Sequence, residues 1–249
     1  MSAAPGAVLI SGAGGGIGVA LCSAFRAAGY RVVATDSVES ECDCDAFVAL
    51  ELAALLNDEA QRGAFQAQVG SALADMPLRV IVNNAAVQTL GAAGEVSVTA
   101  LRHSLDVNVS APYALVASFL DNLSAQHGVV LNIGSVHAQL TKPGFLAYAV
   151  SKAALAGLTR SLALDLAPRG IRVNEIRPGA TATPMLLAGF ASDPAALAEV
   201  AGLQPLGRLA APAEIAAMAV FLASPAAAFV TGAAVQVDGG IAARLHDPH

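Results

Sequence analysis

Cysteine and clustered positive charge are both scarce in this chain. Its 249 residues include three cysteines, too few and too odd a number for a disulfide framework. Lysine and arginine total 13 against 19 aspartates and glutamates, the formal net charge is −6, and no run of basic residues occurs. Binding to a nucleic-acid backbone needs a clustered basic surface. The composition therefore argues against a nucleic-acid partner.

Long uninterrupted hydrophobic runs are also missing, although 55% of the residues are hydrophobic. Residues 1–25 have no charged side chain, but they lack the basic start of a signal peptide and are broken by the glycines of residues 12–18. Residues 216–237 are uncharged but are interrupted by Pro225 and Gly232. We therefore expect a soluble, cytoplasmic protein that does not bind membranes.

Apolar strand-like runs alternate with helical patterns along the chain, which is typical of a parallel sheet covered by helices on both faces. Strands are predicted at residues 7–11, 31–35, 46–50, 79–82, 129–133, 172–176 and 234–237. No change in composition marks a linker. The sequence therefore predicts a single α/β domain over residues 1–249, with a doubly wound, mostly parallel sheet of about seven strands.

Helices are predicted over residues 17–28, 57–73, 100–120, 147–166 and 212–222, with Asn57 as the cap of the second. Residues 181–203 are predicted to be irregular. The longer excursion over 181–210 favours a lid above a ligand site, with an ordinary helical pair packed on the core as the alternative. The tail 244–249 is expected to be mobile.

A glycine-rich turn lies between the first predicted strand and the first helix. Glycines at this place let backbone N–H groups approach a pyrophosphate at the helix N-terminus. Such turns are common, so the motif alone is a weak signal. The turn reads Gly12-Ala13-Gly14-Gly15-Gly16-Ile17-Gly18.

Asp36 ends the second predicted strand, where a carboxylate would accept hydrogen bonds from ribose hydroxyls. A 2′-phosphate there would meet a negative charge, and no lysine or arginine stands at positions 13–15 or 37–38 to compensate. This arrangement predicts NAD in preference to NADP. A solvated loop aspartate is the alternative.

Tyr148 and Lys152 are four residues apart on a predicted helix and therefore share one face. An ammonium near the phenol is expected to lower its pKa, which would make Tyr148 an acid/base group. Ser135 follows the strand at 129–133 and could polarise a substrate carbonyl. The alternatives are a surface pair and an ordinary turn serine.

The order and spacing of these residues resemble the short-chain dehydrogenase/reductase family from Val8 to about Ile241. The resemblance implies a Rossmann-like fold and a nicotinamide-dependent oxidoreductase. The residues that carry it are Gly12, Gly16, Gly18, Asp36, Asn83, Asn84, Ala85, Asn108, Ser135, Tyr148, Lys152, Pro178, Gly179, Thr183 and residues 237–240.

The resemblance also implies a role for each catalytic position. Tyr148 would transfer the proton, and Lys152 would bind the nicotinamide ribose and tune Tyr148. Ser135 would hold the substrate oxygen, and Asn108 would anchor a water that links Lys152 to solvent. The implied cofactor-binding residues are Gly12, Gly14, Gly15, Gly16, Ile17, Gly18, Asp36, Glu51, Leu52, Asn84, Ala85, Tyr148, Lys152, Pro178, Gly179, Thr181 and Thr183.

The chain departs from the family pattern at two places near the cofactor. Glu51-Leu52 stands where an aspartate and an apolar residue usually lie beside the adenine, so that contact stays open. Ala86 replaces a usual glycine, which is tolerable where φ is negative. Neither change removes a catalytic atom.

Weaker signals concern the substrate and metals. Lys142 would favour an anionic substrate if it lies at the pocket mouth, with a solvated loop lysine as the alternative. Cys42-Asp43-Cys44-Asp45 lacks a second pair or a nearby histidine, so no metal site is predicted. The candidate substrate contacts are Gln88, His137, Gln139, Lys142 and Met185.

The leading prediction is an NAD-dependent enzyme that interconverts a secondary alcohol and a ketone, with a sugar, polyol or cyclic alcohol as the favoured substrate. The alternatives are a 3-oxoacyl thioester reductase that uses NADPH and a non-catalytic dinucleotide-binding regulatory protein. The apolar stretch 216–237 predicts a homo-oligomer, and the family resemblance favours a tetramer.

Overall fold

The computed structural model describes residues 6–245 and contains a seven-stranded parallel sheet. The predicted doubly wound α/β fold is confirmed, and each predicted strand is present. The strands are β1 Ala7–Ser11, β2 Arg31–Asp36, β3 Ala46–Ala49, β4 Leu78–Asn83, β5 Val129–Ile133, β6 Arg172–Pro178 and β7 Ala234–Val237.

The spatial order of the strands is β3-β2-β1-β4-β5-β6-β7, so the direction of winding reverses between β1 and β4. Every strand is parallel to its neighbours, so all carboxyl ends lie at the same edge of the sheet. Ligands of such sheets bind in the crevice beyond that reversal. The topology therefore places a ligand crevice beyond β1 and β4.

Helices cover both faces of the sheet. The α-helices of the described residues are α1 Gly16–Ala27, α2 Ala54–Asn57, α3 Glu59–Ala72, α4 Val98–Leu105, α5 Ala111–Ser118, α6 Leu120–Gln126, α7 Leu146–Leu166, α8 Pro184–Gly189, α9 Pro194–Leu203 and α10 Pro212–Ala223. None of those in residues 6–245 is both long and apolar enough to cross a membrane.

The central strands are apolar throughout because both of their faces are buried. All five residues of β1 are buried. Leu9 belongs to the hydrophobic cluster that includes Leu115 of α5 and other residues of α3 and α7. Ile10 points to the opposite face and belongs to the cluster that includes Leu21 of α1 and residues of α10. This double packing fixes β1 and the turn that follows it.

The predicted cap at Asn57 is wrong. Asn57 ends the short helix α2, and the next residue, Asp58, caps α3. The Asp58 carboxylate accepts a hydrogen bond from the backbone N–H of Gln61 at 2.9 Å. Aspartate and asparagine are equally good caps, so the residue types alone did not distinguish the two positions.

The predicted helix at 100–120 is not continuous. A π-helical turn at Asp106–Ser110 separates α4 from α5, and Phe119 separates α5 from α6. Such turns frequently occur at functional sites. Asn108, a predicted catalytic residue, lies in the middle of the π-helical turn.

The stretch predicted to be irregular contains α8 and α9. Thr183 caps α8, because its hydroxyl accepts a hydrogen bond from the backbone N–H of Leu186 at 3.2 Å. Asp193 caps α9 through the N–H of Ala196 at 2.9 Å. Both helices are short, which explains why periodicity did not reveal them. Of the predicted mobile tail, residues 246–249 lie outside the described residues.

Candidate active site

The predicted site residues collect at the carboxyl edge of the sheet. The glycine-rich turn follows β1, Asp36 ends β2, and Asn84 follows β4. Ser135 lies just beyond β5, and Gly179 lies just beyond β6. Five separate strand ends therefore contribute to one crevice, at the place where α/β sheets bind ligands.

Two glycines of the turn are required by close backbone approaches. Gly12 has a φ of +66°, and a Cβ there would lie 2.6 Å from the backbone of Ala85. A Cβ on Gly18 would overlap the carbonyl oxygen of Gly12. Asn84 tightens the same turn by donating a side-chain hydrogen bond to the Gly12 carbonyl at 2.8 Å. The turn is therefore packed directly against the loop that follows β4.

Asp36 lies at one end of this turn. Its carboxylate accepts a hydrogen bond from the backbone N–H of Gly14 at 3.0 Å and another from Ser37 at 2.8 Å. Ser40 approaches the same glycine, and its buried hydroxyl has no hydrogen-bond partner among the described residues. Polar groups without a partner thus accompany a carboxylate beside the turn, as a site for ribose hydroxyls requires.

Thr183 lies at the other end of the turn. A Cβ on Gly16 would lie 2.9 Å from the Cβ of Thr183 and 2.8 Å from Pro184. The side-chain hydroxyl of Thr181 donates a hydrogen bond to the Gly179 carbonyl at 3.1 Å, which orders the loop after β6. The glycine turn therefore lies between the Asp36 carboxylate and the start of α8. The glycines at positions 14–16 keep side chains off the backbone N–H groups of the turn, which suits a bound pyrophosphate.

The two residues predicted to lie beside the adenine, Glu51 and Leu52, differ in burial. Leu52 is buried in the hydrophobic cluster with Leu55 and Phe65, whereas Glu51 is exposed. Ile17 is half-buried and packs against the cluster beneath α1. The contact of Glu51 and Leu52 with an adenine stays a prediction.

Lys152 is buried in α7, with 2% of its surface exposed. Its Nζ donates a hydrogen bond to the Ile133 carbonyl at 2.7 Å and lies 5.7 Å from the centre of the Tyr148 ring. Burial lowers the pKa of Lys152 to about 8, and the Glu175 carboxylate opposes that shift. The lysine therefore titrates close to neutral pH.

The pKa of Tyr148 does not follow the expectation. Burial raises this pKa, and the neighbouring Ser135 hydroxyl partly opposes the rise. Lys152 lies over the ring and not at the phenol oxygen, so the expected lowering by the ammonium is absent. In the protein alone, Tyr148 is thus a protonated phenol at neutral pH.

Ser135 and Asn108 are held by hydrogen bonds to the backbone. The Ser135 hydroxyl accepts one from the N–H of His137 at 3.1 Å. The Asn108 side chain accepts from the N–H of Val87 at 2.8 Å and donates to its carbonyl at 2.9 Å. It also donates to the Ser151 hydroxyl at 2.9 Å, next to Lys152 on α7. Asn108 therefore joins the loop after β4 to the catalytic helix.

An aromatic stack borders Tyr148. The rings of His137 and Phe145 are parallel, with centres 4.5 Å apart, and His137 meets Tyr148 edge-on at 5.7 Å. The Nζ of Lys142 lies 4.7 Å from the centre of the Phe145 ring. Two candidate substrate contacts, His137 and Lys142, are therefore brought together beside Tyr148. Phe145 was missed, although an aromatic residue just before the helix of Tyr148 was a usable signal.

The other substrate candidates are less informative. Gln139 is exposed and receives a long hydrogen bond of 3.5 Å from Arg177. Gln88 is exposed and forms no hydrogen bond within residues 6–245. The side chain of Met185 lies outside what the structure describes. Residues 6–245 contain no cluster of three histidine, cysteine or acidic side chains that could hold a metal ion.

Two charged residues of β6, Glu175 and Arg177, were also missed. Glu175 is fully buried, and Arg177 grips it with two hydrogen bonds of 3.0 Å. Their alternation in a strand predicted to be buried was the available signal, because strand residues two apart share a face.

Comparisons with known proteins identify the family of the chain. A family model described as enoyl-(acyl carrier protein) reductase matches residues 12–242. The chain is 37% identical over 236 residues to a galactitol 2-dehydrogenase (L-tagatose-forming) from Cereibacter sphaeroides, covering 93% of this chain and 92% of the relative.

Solved structures show the same fold. An oxidoreductase of the short-chain dehydrogenase/reductase family from Burkholderia thailandensis is 32% identical, with a TM-score of 0.84 over 97% of this chain and 94% of the other. A protein assigned as an NAD(P)-dependent gluconate 5-dehydrogenase from Beutenbergia cavernae, with NADP bound at low occupancy, is 33% identical, with a TM-score of 0.83 over 96% and 98%. The chain belongs to the short-chain dehydrogenase/reductase family and is an oxidoreductase of that family.

Proposed function

We propose that this protein is an NAD-dependent enzyme that interconverts a secondary alcohol and a ketone, with Tyr148 as its acid/base. The observation that carries the proposal is the buried Lys152 ammonium, hydrogen-bonded at 2.7 Å to the end of β5 and lying beside the Tyr148 ring. A surface pair would not remain buried at the carboxyl edge of a sheet, next to a glycine turn.

The chain's own residues account for the proton transfer in this reaction. The Tyr148 hydroxyl donates its proton to a carbonyl oxygen in reduction, and the phenolate accepts the alcohol proton in oxidation. In this proposal Ser135 holds that oxygen, and Lys152, whose Nζ lies 5.7 Å from the centre of the Tyr148 ring, supplies positive charge to the site. A bound nicotinamide dinucleotide would supply or accept the hydride, held by the glycine turn, Asp36 and the loop after β6.

Asp36 supports NAD over NADP. Its carboxylate lies within 3.0 Å of a backbone N–H of the glycine turn, where a 2′-phosphate would be repelled. The loop of residues 36–45 contains five acidic residues and no lysine or arginine. The NADP found in the gluconate 5-dehydrogenase structure belongs to that protein and makes the choice of cofactor the first property to test.

A sugar or polyol is the favoured substrate class, with a cyclic alcohol next. The His137 ring lies beside Tyr148 and can form hydrogen bonds with substrate hydroxyl groups. The galactitol dehydrogenase and the gluconate 5-dehydrogenase among the similar proteins support this choice. Helices α8 and α9, which follow the Thr183 contact with Gly16, would form the substrate lid over residues 181–210.

We also propose one catalytic domain, a cytoplasmic location and a homo-oligomer, with a tetramer favoured. Phe221 of α10 is nearly half exposed, and Phe229, between α10 and β7, is completely exposed. Large exposed apolar side chains in this segment favour contact with a second copy.

The first test measures the binding of NADH and of NADPH to the protein by fluorescence titration. Tight binding of NADH over NADPH is expected, followed by NAD reduction with at least one member of a panel of polyols, sugar acids and cyclic alcohols. Preference for NADPH with turnover of a 3-oxoacyl or enoyl thioester would overturn the proposal and support the thioester reductase. Binding of NADH without turnover on any panel member would support the regulatory alternative.

A further inference from the structure

A buried ion pair lies behind the catalytic residues and is not used in the mechanism above. Glu175 is 0% exposed, and Arg177, two residues later on the same face of β6, is 9% exposed. The guanidinium donates from Nε and Nη2 to the two carboxylate oxygens, both at 3.0 Å. Two charges buried in a strand are costly, so a specific arrangement must compensate them.

The pair lies against the end of β5, which carries Ser135. Glu175 is opposite Asn132 in the strand register, and the N–H of Gly134 donates to the Ile176 carbonyl at 2.7 Å. A Cβ on Gly134 would overlap the Glu175 carboxylate. The carboxylate therefore fills the space that a side chain at position 134 would occupy, directly before Ser135.

The same place brings Glu175 close to Lys152. The Lys152 Nζ donates to the Ile133 carbonyl, the residue just before Gly134. Glu175 is the charged group that raises the pKa of Lys152, against the lowering by burial. An ammonium has three donors, and Lys152 has one hydrogen bond within the described residues. A carboxylate near the ammonium compensates part of the remaining cost of burial.

The charged and titratable groups around Lys152 come from three elements. Tyr148 lies on the same helix, α7, and His137 follows β5. Glu175 and Arg177 come from β6. The facing positions of β5 and of the π-helical turn hold neutral amides, among them Asn108. Glu175 is thus the negative charge that acts on Lys152.

We propose that Glu175 is a positioning residue for Lys152: its buried carboxylate, bonded to Arg177 and packed against Gly134, supplies the negative charge that stabilises the buried Lys152 ammonium beside Tyr148. This role rests on the proposed function, in which Lys152 serves the acid/base Tyr148. Arg177 fixes the position of this carboxylate through its two hydrogen bonds of 3.0 Å. The pair therefore sets the charge of the catalytic lysine without touching substrate.

The sequence offers an unusually direct measurement of this effect. Lys142 and Lys152 are the two lysines of the chain. Protein labelled with ¹³C at the lysine ε-carbon therefore gives two lysine signals, and Lys142→Arg identifies which is Lys152. Exposed Lys142 serves as an internal reference. The titration is done on cofactor-free protein, so it does not depend on turnover.

Glu175→Gln is expected to lower the pKa of Lys152 by about one pH unit and to leave the Lys142 signal unchanged. With NAD and an accepted alcohol, the pH limits of kcat shift in the same direction while KM for the alcohol changes less. The matched control is Glu214→Gln, which removes a glutamate from an exposed ion pair with Arg208 (2.7 Å) and is expected to change neither value.

A double variant, Glu175→Gln/Arg177→Met, covers the case in which an unpaired Arg177 unfolds the single variant, because neutral replacement of a buried pair is often tolerated. It is expected to keep the fold and the lowered pKa of Lys152. An unchanged Lys152 titration in either folded variant would overturn the proposal and leave the pair purely structural. If the Lys152 pKa falls in Glu175→Gln but the wild-type protein turns over no alcohol, the result would contradict the proposed function alone.

Discussion

The regions around Asp36 and Glu175 hold negative charge in different ways. At the end of β2, Asp36 is half-buried and its carboxylate is bonded to backbone N–H groups. In the middle of β6, behind the candidate catalytic residues, Glu175 is fully buried and bonded to a guanidinium. An accessible carboxylate can exchange its partners for a ligand, whereas a buried one cannot without losing its compensation. We propose that the accessible Asp36 serves cofactor selection and that the buried Glu175 serves catalytic tuning.

The largest effect is expected from a substitution of Tyr148, the proposed acid/base. Tyr148→Phe removes the proton donor but keeps the ring, so kcat is expected to fall by about 10²–10⁴-fold with NADH affinity retained. Steady-state kinetics and a cofactor titration measure the two quantities. Tyr113→Phe, at an exposed position, is the control and is expected to be without effect. Near-normal kcat in Tyr148→Phe would contradict the acid/base assignment.

A smaller effect is expected at Asp36, at the end of β2. Asp36→Ala removes hydrogen bonds to a charged acceptor, which corresponds to about 10–100-fold weaker NADH binding. NADPH binding is expected to change less, so the preference narrows. Glu39→Ala makes the same change in net charge at an exposed loop position and should leave the ratio intact. An equal loss in both variants would show that long-range charge, and not Asp36, selects the cofactor.

The smallest effect is expected at Asn108, which joins the loop after β4 to α7. Asn108→Ala leaves the buried Val87 N–H and carbonyl without their partner, which is expected to lower the free energy of unfolding by about 1–3 kcal/mol. Chemical denaturation measures the change. Asn57→Ala is the control, because exposed Asn57 caps no helix. A loss of kcat without any loss of stability would assign Asn108 a direct role in proton movement.

The sequence predicted the strands well because their signal is local. Most strands of this sheet contain a short apolar run that ends at or next to glycine or a polar residue, as at Ser11 and Asn83, whereas β6 departs from this pattern. Helix interruptions were not predicted. The π-helical turn around Asn108 depends on hydrogen bonds to Val87 and Ser151, which are distant in sequence. Periodicity within one helix carries no information about such partners.

The site residues also divide into those that local spacing predicted and those that depend on contacts distant in sequence. Tyr148 and Lys152 were found because their spacing places them on one helix face. The direction of the Tyr148 pKa was predicted wrongly, because burial outweighs the nearby ammonium and burial is not visible in a four-residue spacing. Glu175 and Arg177 were overlooked, because a strand with two charges looks partly exposed until its neighbours are known.

By itself, the sequence determined the order of strands and helices, the glycine turn, the polar residues at the strand ends and the family to which the chain belongs. These features depend on local patterns and on fixed spacing. Only the tertiary structure decided that Glu175 packs against Gly134, that Lys152 binds the adjacent Ile133 carbonyl, that Phe145 stacks on His137, and that Asn108 joins a loop to a helix. Each of these contacts joins separate elements, and the free energy of a buried charge depends on all the groups that surround it.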